Sequence, residues 1–263
     1  RSTLFPYTTL FRSTNFVDLE KKVTNKELLE MLSDISMLHG VKSGQTKTDE
    51  VSPVSWVVLG WRMQVYRRPF MFSTLRAVTW VRDYTRVRAG RDYMIYDEEE
   101  NIVVKATAEW VALDVPTGRF LRITPELLEP FDPEPDEINY PGFVFPLFRR
   151  IDMDILAAQE MEIDRMMFDY NGHVHNSVYL NMAEQILPED LFRKGFDDML
   201  IVYKMEITSE TRVLLEYSVR EEEHVVAVRR IADRKLHAVV RLKSERDVSK
   251  VQKKTCQRQK FQV

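Results

Sequence analysis

One amphipathic helix followed by a run of strand-type sequence occurs twice in this chain, and that order limits the folds open to it. In TNKELLEMLSDISMLHG, residues 24–40, Leu28, Leu29, Leu32, Ile35, Met37 and Leu38 fall largely on one helical stripe. Thr24 or Asn25 suits the start of that helix and Gly40 its stop. A polar loop follows, then stretches rich in β-branched and aromatic residues at 56–66, 74–87, 93–96, 102–113 and 119–123. Val103, Lys105 and Thr107 alternate there with Val104, Ala106 and Ala108, the period of a strand. Residues 97–101 and 116–118 read as hairpin turns. The second round predicts a strand at 161–169, an amphipathic segment from Ser177 to about Leu187, and strands at 199–207, 212–219, 224–231 and 236–243.

A helix preceding an antiparallel meander buries its apolar face by lying against a sheet that curls around it. That is the α+β arrangement called a hotdog; that two tandem copies make a double hotdog is what the family resemblance carried by residues 168–207 implies. The boundaries follow composition. The opening RSTLFPYTTLFRS has no acidic residue and no helical period, and it resembles the translation of a sequencing-library adapter. Residues 1–13 are therefore set aside as an assembly artefact, so the native N-terminus and any targeting signal lie outside the reading. Residues 14–125 form the first expected domain and residues 126–142 an acidic, proline-rich exposed connector. Residues 143–247 form the second domain and residues 248–263 a basic tail.

Several function classes drop out early. A net charge of −3 gives no general pull toward nucleic acid. No window holds the roughly 18 uninterrupted apolar residues of a membrane span, so stable membrane insertion is not expected. The single cysteine, Cys256, excludes a disulfide framework and a cysteine-based zinc site, and it fits a reducing, cytosol-like compartment. There is no phosphate-cradling glycine loop and no serine nucleophile elbow.

The stretch FDYNGHVHNSVYLNMAEQILPEDL, residues 168–191, is the most informative. Asp169, Asn171, His173 and His175 occupy every second position, so in extended backbone they would share one face. Asn176 or Ser177 could then cap a helix starting at Val178. An acid, an amide and an imidazole at a helix start are the parts of a hydrolytic site: a base, a polarising group and a side chain titrating near neutral pH. On residues alone, an ordinary helix-capping turn explains the same pattern, and alternate histidines could also share a metal ion.

With its flanks, this pattern resembles the acyl-acyl-carrier-protein (acyl-ACP) thioesterases, which carry Asp-x-Asn-x-His, then Val-Asn-Asn and a Tyr-bearing helix. Asp169, Asn171, His173, Val174, Asn176 and Tyr179 match it. VYKMEI, residues 202–207, sits where the family has Tyr-Arg-x-Glu, which puts the family's catalytic Glu at Glu206. WRMQVYRRP with Thr79-Trp80, GRDYMIYD and ATAEWVALDVPTGRFLRI extend the resemblance over about residues 17–245. The departures are His175 in place of the first Asn, Phe70-Met71-Phe72-Ser73 in place of Trp-Gly-Asp, and Ile207 where plant members have Cys.

The resemblance implies a cofactor-free, metal-free hydrolase that releases free fatty acid from acyl carrier protein and ends fatty acid synthesis. Its expected catalytic residues are Asp169, Asn171, His173 and Glu206. Water would be activated by Glu206 and His173, with Asp169 holding His173 or taking part itself, and Asn171 with backbone N–H groups would hold the oxyanion. An acyl-CoA thioesterase using the same site, and a non-catalytic acyl- or ACP-binding module, are the alternatives. The first helix lacks the acid–amide–imidazole set, so the first domain is expected to be non-catalytic and to line the acyl pocket, with Met31, Leu32, Ile35, Leu59 and Trp61 as wall candidates. Acyl carrier protein is the expected partner. Arg62, Arg67 and Arg68, with Lys250, Lys253, Lys254, Arg258 and Lys260, are candidates for docking its acidic surface. A cytoplasmic, bacterial-type location and a homodimer complete the expectation.

Overall fold

The computed structural model describes residues 7–12, 17–45, 53–148, 151 and 153–244. They fall into two compact units, residues up to 148 with Val202–Lys204, and residues 151–201 with 205–244.

The first unit contains strand β1 (Tyr7–Arg12), helix α1 (Asn25–Lys42) and strands β2 (Val54–Val65), β3 (Thr74–Tyr84), β4 (Ala89–Tyr96), β5 (Ile102–Asp114) and β6 (Arg119–Phe120), followed by the short helix α2 (Pro125–Leu128). The antiparallel sheet runs β1-β3-β4-β5-β2, with β6 on β5. Thr24 caps α1, its hydroxyl accepting the Glu27 N–H at 3.2 Å. Gly40 does not end the helix, which continues to Lys42, because the terminal carbonyls are closed one turn later by the Ser43 N–H. Leu28, Leu29, Leu32 and Ile35 are buried on α1, and Ser36 reaches the Tyr93 hydroxyl on β4 at 2.8 Å. Met31, Leu32, Ile35 and Trp61 are buried core, and Leu59 is the extra residue of a β-bulge in β2.

Two expectations about this half change. Tyr7–Arg12, set aside with residues 1–13, pairs antiparallel with Thr74–Thr79 of β3 as an edge strand. Edge pairing is made by backbone groups, so an atypical composition does not prevent it. The acidic segment 126–142 is not a free connector. Leu128 and Phe131 are buried, the Glu134 N–H bonds to Val81 O, and the Trp80 indole donates to Glu137 O. Asn139 donates from its amide to Tyr93 O and Ala106 O and from its backbone to the Asp92 carboxylate. Every charged side chain can face water while a few apolar and amide groups anchor the backbone, which average composition hides.

Glu27 sits in the first turn of α1, where burial, then repulsion from Glu30, pushes its carboxyl up to about 7. The folded state thus keeps a proton that the unfolded chain releases above about pH 4.3. Stability is expected to fall as pH rises from about 4 to 7 and then level off. Glu27→Gln should therefore raise the thermal midpoint at pH 8 and lose that advantage near pH 4; an equal shift at both pH values would contradict it.

The second unit contains β7 (Ala157–Glu162), helices α3 (Val178–Gln185) and α4 (Glu189–Lys194), and strands β8 (Asp198–Tyr203), β9 (Arg212–Arg220), β10 (Glu223–Arg230) and β11 (Leu236–Lys243). Residues 198–201 of β8 belong to this unit. Its sheet runs β7-β9-β10-β11-β8, and α3 packs on β10 and β11. Leu180 and Met182 of α3 are fully buried, as are Val226, Val228, Ala238 and Val240 of the two strands. The strand expected at 161–169 lies earlier, at β7, and Arg165–Met167 forms a 3-10 turn. Each unit thus has the α+β hotdog pattern, one principal helix against an antiparallel meander.

Candidate active site

Chain reversal, not an extended strand, presents the acid–amide–imidazole set. Phe168 and Val174 form an isolated antiparallel bridge, and the Gly172 N–H closes the turn on Asp169 O at 3.0 Å. Gly172 has φ +76, the left-handed backbone that glycine adopts without cost. The shared face predicted from alternation is therefore replaced by a hairpin turn, because glycine reverses the chain midway.

Within that turn the Asp169 carboxylate accepts the backbone N–H groups of Asn171 at 2.8 Å and of His173 at 3.1 Å. It grips the turn by its backbone rather than the His173 imidazole. Asn171 and Tyr170 are exposed, and His173 is half-buried. His175 turns away: its Nδ1 meets the Ser177 hydroxyl at 2.9 Å, and Ser177 makes no side-chain cap to α3.

Glu206 lies just beyond β8 and not in a strand as predicted. The Val174 N–H donates to Ile207 O at 3.0 Å, which fastens the segment after β8 beside the turn. That single backbone bond sets the two flanking side chains together, with His173 Nε2 3.5 Å from Glu206 Oε2. Their side chains are 37% and 48% exposed, so water reaches both. Tyr179 of α3 is buried behind them. Burial, with the nearby Glu206 and Glu210 charges, holds its phenol well above the ordinary value against a backbone hydrogen bond from Ile207. The structure thus brings His173 and Glu206 into contact, places Asn171 on the same turn, and gives Asp169 to the turn's backbone. Among the described residues no group of three or more His, Cys, Asp or Glu could hold a metal ion.

The sequence reading missed His237 and Glu210. His237 is fully buried on β11, its Nδ1 3.1 Å from Met205 O, and its Nε2 is 3.6 Å from Glu210 Oε1. Its partner lies 32 positions away, so no local spacing marks it.

Compared with known proteins, residues 10–131 match the family model of the acyl-ACP thioesterase N-terminal domain. The chain is 22% identical over 191 residues to an oleoyl-acyl carrier protein thioesterase of Arabidopsis thaliana, covering 66% of this chain and 52% of that protein. The chain thus spans about half the length of that relative. Its fold is that of the 12:0-ACP thioesterase of Umbellularia californica, with TM-score 0.76 at 16% identity over 90% of this chain and 96% of that one. An acyl-ACP thioesterase of Bacteroides thetaiotaomicron gives 0.74 at 16% identity over 89% and 96%. The resemblance to acyl-ACP thioesterases and the hotdog fold class both hold.

The arginines expected to dock acyl carrier protein are engaged within their own unit. Arg62 stacks over Tyr140 and Phe143 at 4.5 and 4.8 Å, and Arg67 pairs with Asp97 at 2.8 Å. Arg68 donates to Val23 O and to the Asn25 side chain. Cys256 and the basic residues Lys250, Lys253, Lys254, Arg258 and Lys260 lie outside the described residues.

Proposed function

We propose that this protein hydrolyses the thioester of fatty acyl-acyl carrier protein, with Glu206 and His173 at the reacting centre. The approach of His173 Nε2 to within 3.5 Å of Glu206 Oε2, on a chain related to acyl-ACP thioesterases, is the observation that carries this reading. Water held between the two gives its proton to the Glu206 carboxylate as its oxygen attacks the thioester carbonyl carbon. The tetrahedral oxyanion takes a hydrogen bond from the Asn171 carboxamide, which is exposed on the turn, a donor worth about 3 kcal/mol in such sites. Collapse breaks the C–S bond, and the proton passes to the departing phosphopantetheine thiolate through His173. Asp169 keeps the turn closed, so that Asn171 and His173 stay presented.

In this reading residues 143–247 are the catalytic domain and residues 14–125 a non-catalytic domain that takes the acyl chain. No helix among the described residues is long and apolar enough to cross a membrane. A cytoplasmic, bacterial-type location rests on the single cysteine, and a homodimer on the tendency of open sheet edges to pair.

Thiol release from lauroyl- or oleoyl-acyl carrier protein, measured beside the matched acyl-CoA, tests the reading. A higher kcat/KM on the carrier-protein substrates is expected. Faster release from acyl-CoA would reassign the substrate, and no release from either would leave a binding module.

A further inference from the structure

We propose that His237, acting through Met205 and Glu210, positions Glu206 for the reaction. The inference rests on the reading of Glu206 as the general base.

The segment bearing Glu206 is hydrogen-bonded at its start to one buried residue and faces the same residue at its end. At its start, the Met205 N–H donates to His237 O at 3.2 Å, and His237 Nδ1 donates back to Met205 O at 3.1 Å. At its end, Glu210 Oε1 lies 3.6 Å from His237 Nε2. That nitrogen is buried and has no hydrogen-bond partner of its own, so the Glu210 carboxylate is the polar group it faces. Glu210 in turn accepts the N–H groups of Thr208 at 3.1 Å and Ser209 at 3.2 Å through Oε2. Its charged form is favoured by these backbone bonds against the cost of burial. The imidazole therefore grips the residue before Glu206 while its other nitrogen faces the carboxylate that closes the turn after it. The Ile207 carbonyl, accepting from Val174, ties this segment to the turn of His173. A shift of Met205 would thus pass directly into the Glu206–His173 separation, and displacements near 1 Å at a reacting group cost up to about 100-fold in rate.

The test compares His237→Leu, which removes both nitrogens, with His237→Asn, which restores a donor toward Met205 O. His237→Leu is expected to lower kcat on lauroyl-acyl carrier protein by about 10–100-fold with KM nearly unchanged, and His237→Asn to recover most of that loss. In a Glu206→Ala background, His237→Leu should lower kcat no further, because the group it positions is gone. Wild-type kcat in folded His237→Leu, or an equal further loss in the Glu206→Ala background, would overturn the proposal. Glu210→Ala carries the test if His237→Leu does not fold: kcat should fall with KM unchanged, and wild-type kcat would overturn it. Full activity in Glu206→Ala alone would instead remove the reading of Glu206 on which the proposal stands.

Discussion

Glu206→Ala is expected to lower kcat on fatty acyl-acyl carrier protein by about 10²–10⁴-fold, the usual contribution of a general base. The protein should remain as stable as wild type. The Glu206 side chain is 48% exposed and its contact is the His173 imidazole, so truncation opens no cavity and strands no buried partner. His173→Ala should fall in the same range, and the double variant should be little worse than either single one, because the two groups act on one water. Steady-state kinetics with a thermal midpoint for each variant decides it. An active, folded Glu206→Ala enzyme would sink the assignment of the base. Single-turnover hydrolysis in ¹⁸O-labelled water adds the pathway: label in Glu206 or Asp169 means an acyl-enzyme anhydride opened at the enzyme's own carboxyl carbon.

Arg82→Ala is expected to destabilise the protein by about 3 kcal/mol at neutral pH, the scale for removing one partner of a buried ion pair. Asp92 is fully buried on β4, and Arg82 Nε lies 3.3 Å from its Oδ1. Arg82 is the extra residue of a bulge in β3, which aims its side chain at Asp92, and Gly90 leaves the room. A Cβ at position 90 would fall 2.7 Å from the Arg82 guanidinium. Burial pushes the Asp92 carboxyl up, and bonds from Thr107 and Asn139 with the Arg82 charge bring it part of the way back. Without Arg82 its folded-state value rises further. Below the raised folded-state value of Asp92 the acid is protonated in wild type and variant alike, so the electrostatic loss vanishes; as pH rises through that value the gap to wild type widens. Melting curves from pH 3.5 to 8 test this, and a gap that did not grow with pH would refute the charge-based account. Asp92 also accepts the Asn139 N–H, so the variant should expose segment 132–142 to protease sooner than wild type.

Patterns confined to one element were legible. Thr24 starts α1 as the sequence indicates, and the strand at Leu236–Lys243 falls where alternation places it. The hairpin at 97–101 closes on Asp97, whose carboxylate takes the N–H groups of Glu99 and Asn101. Each depends on contacts within a few residues. Readings that assumed an environment changed. Alternation at 169–175 implied extended backbone, but Gly172 allowed a reversal. Acid and proline at 126–142 implied solvent, but Leu128, Phe131 and Asn139 found partners on the sheet. Arg62, Arg67 and Arg68, candidates for a docking face by charge, also engage two rings, a carboxylate and a helix start.

By itself the sequence determined two helix-and-meander units and the residue types of a hydrolytic centre, since helical and strand periods and turn chemistry are properties of neighbouring residues. Tertiary structure decided which of those residues meet. The Val174–Ile207 backbone bond sets Glu206 against His173, and His237 grips the segment that carries it. Those contacts join positions more than thirty residues apart, where no period links one side chain to the other and only folded strands bring them within bonding distance.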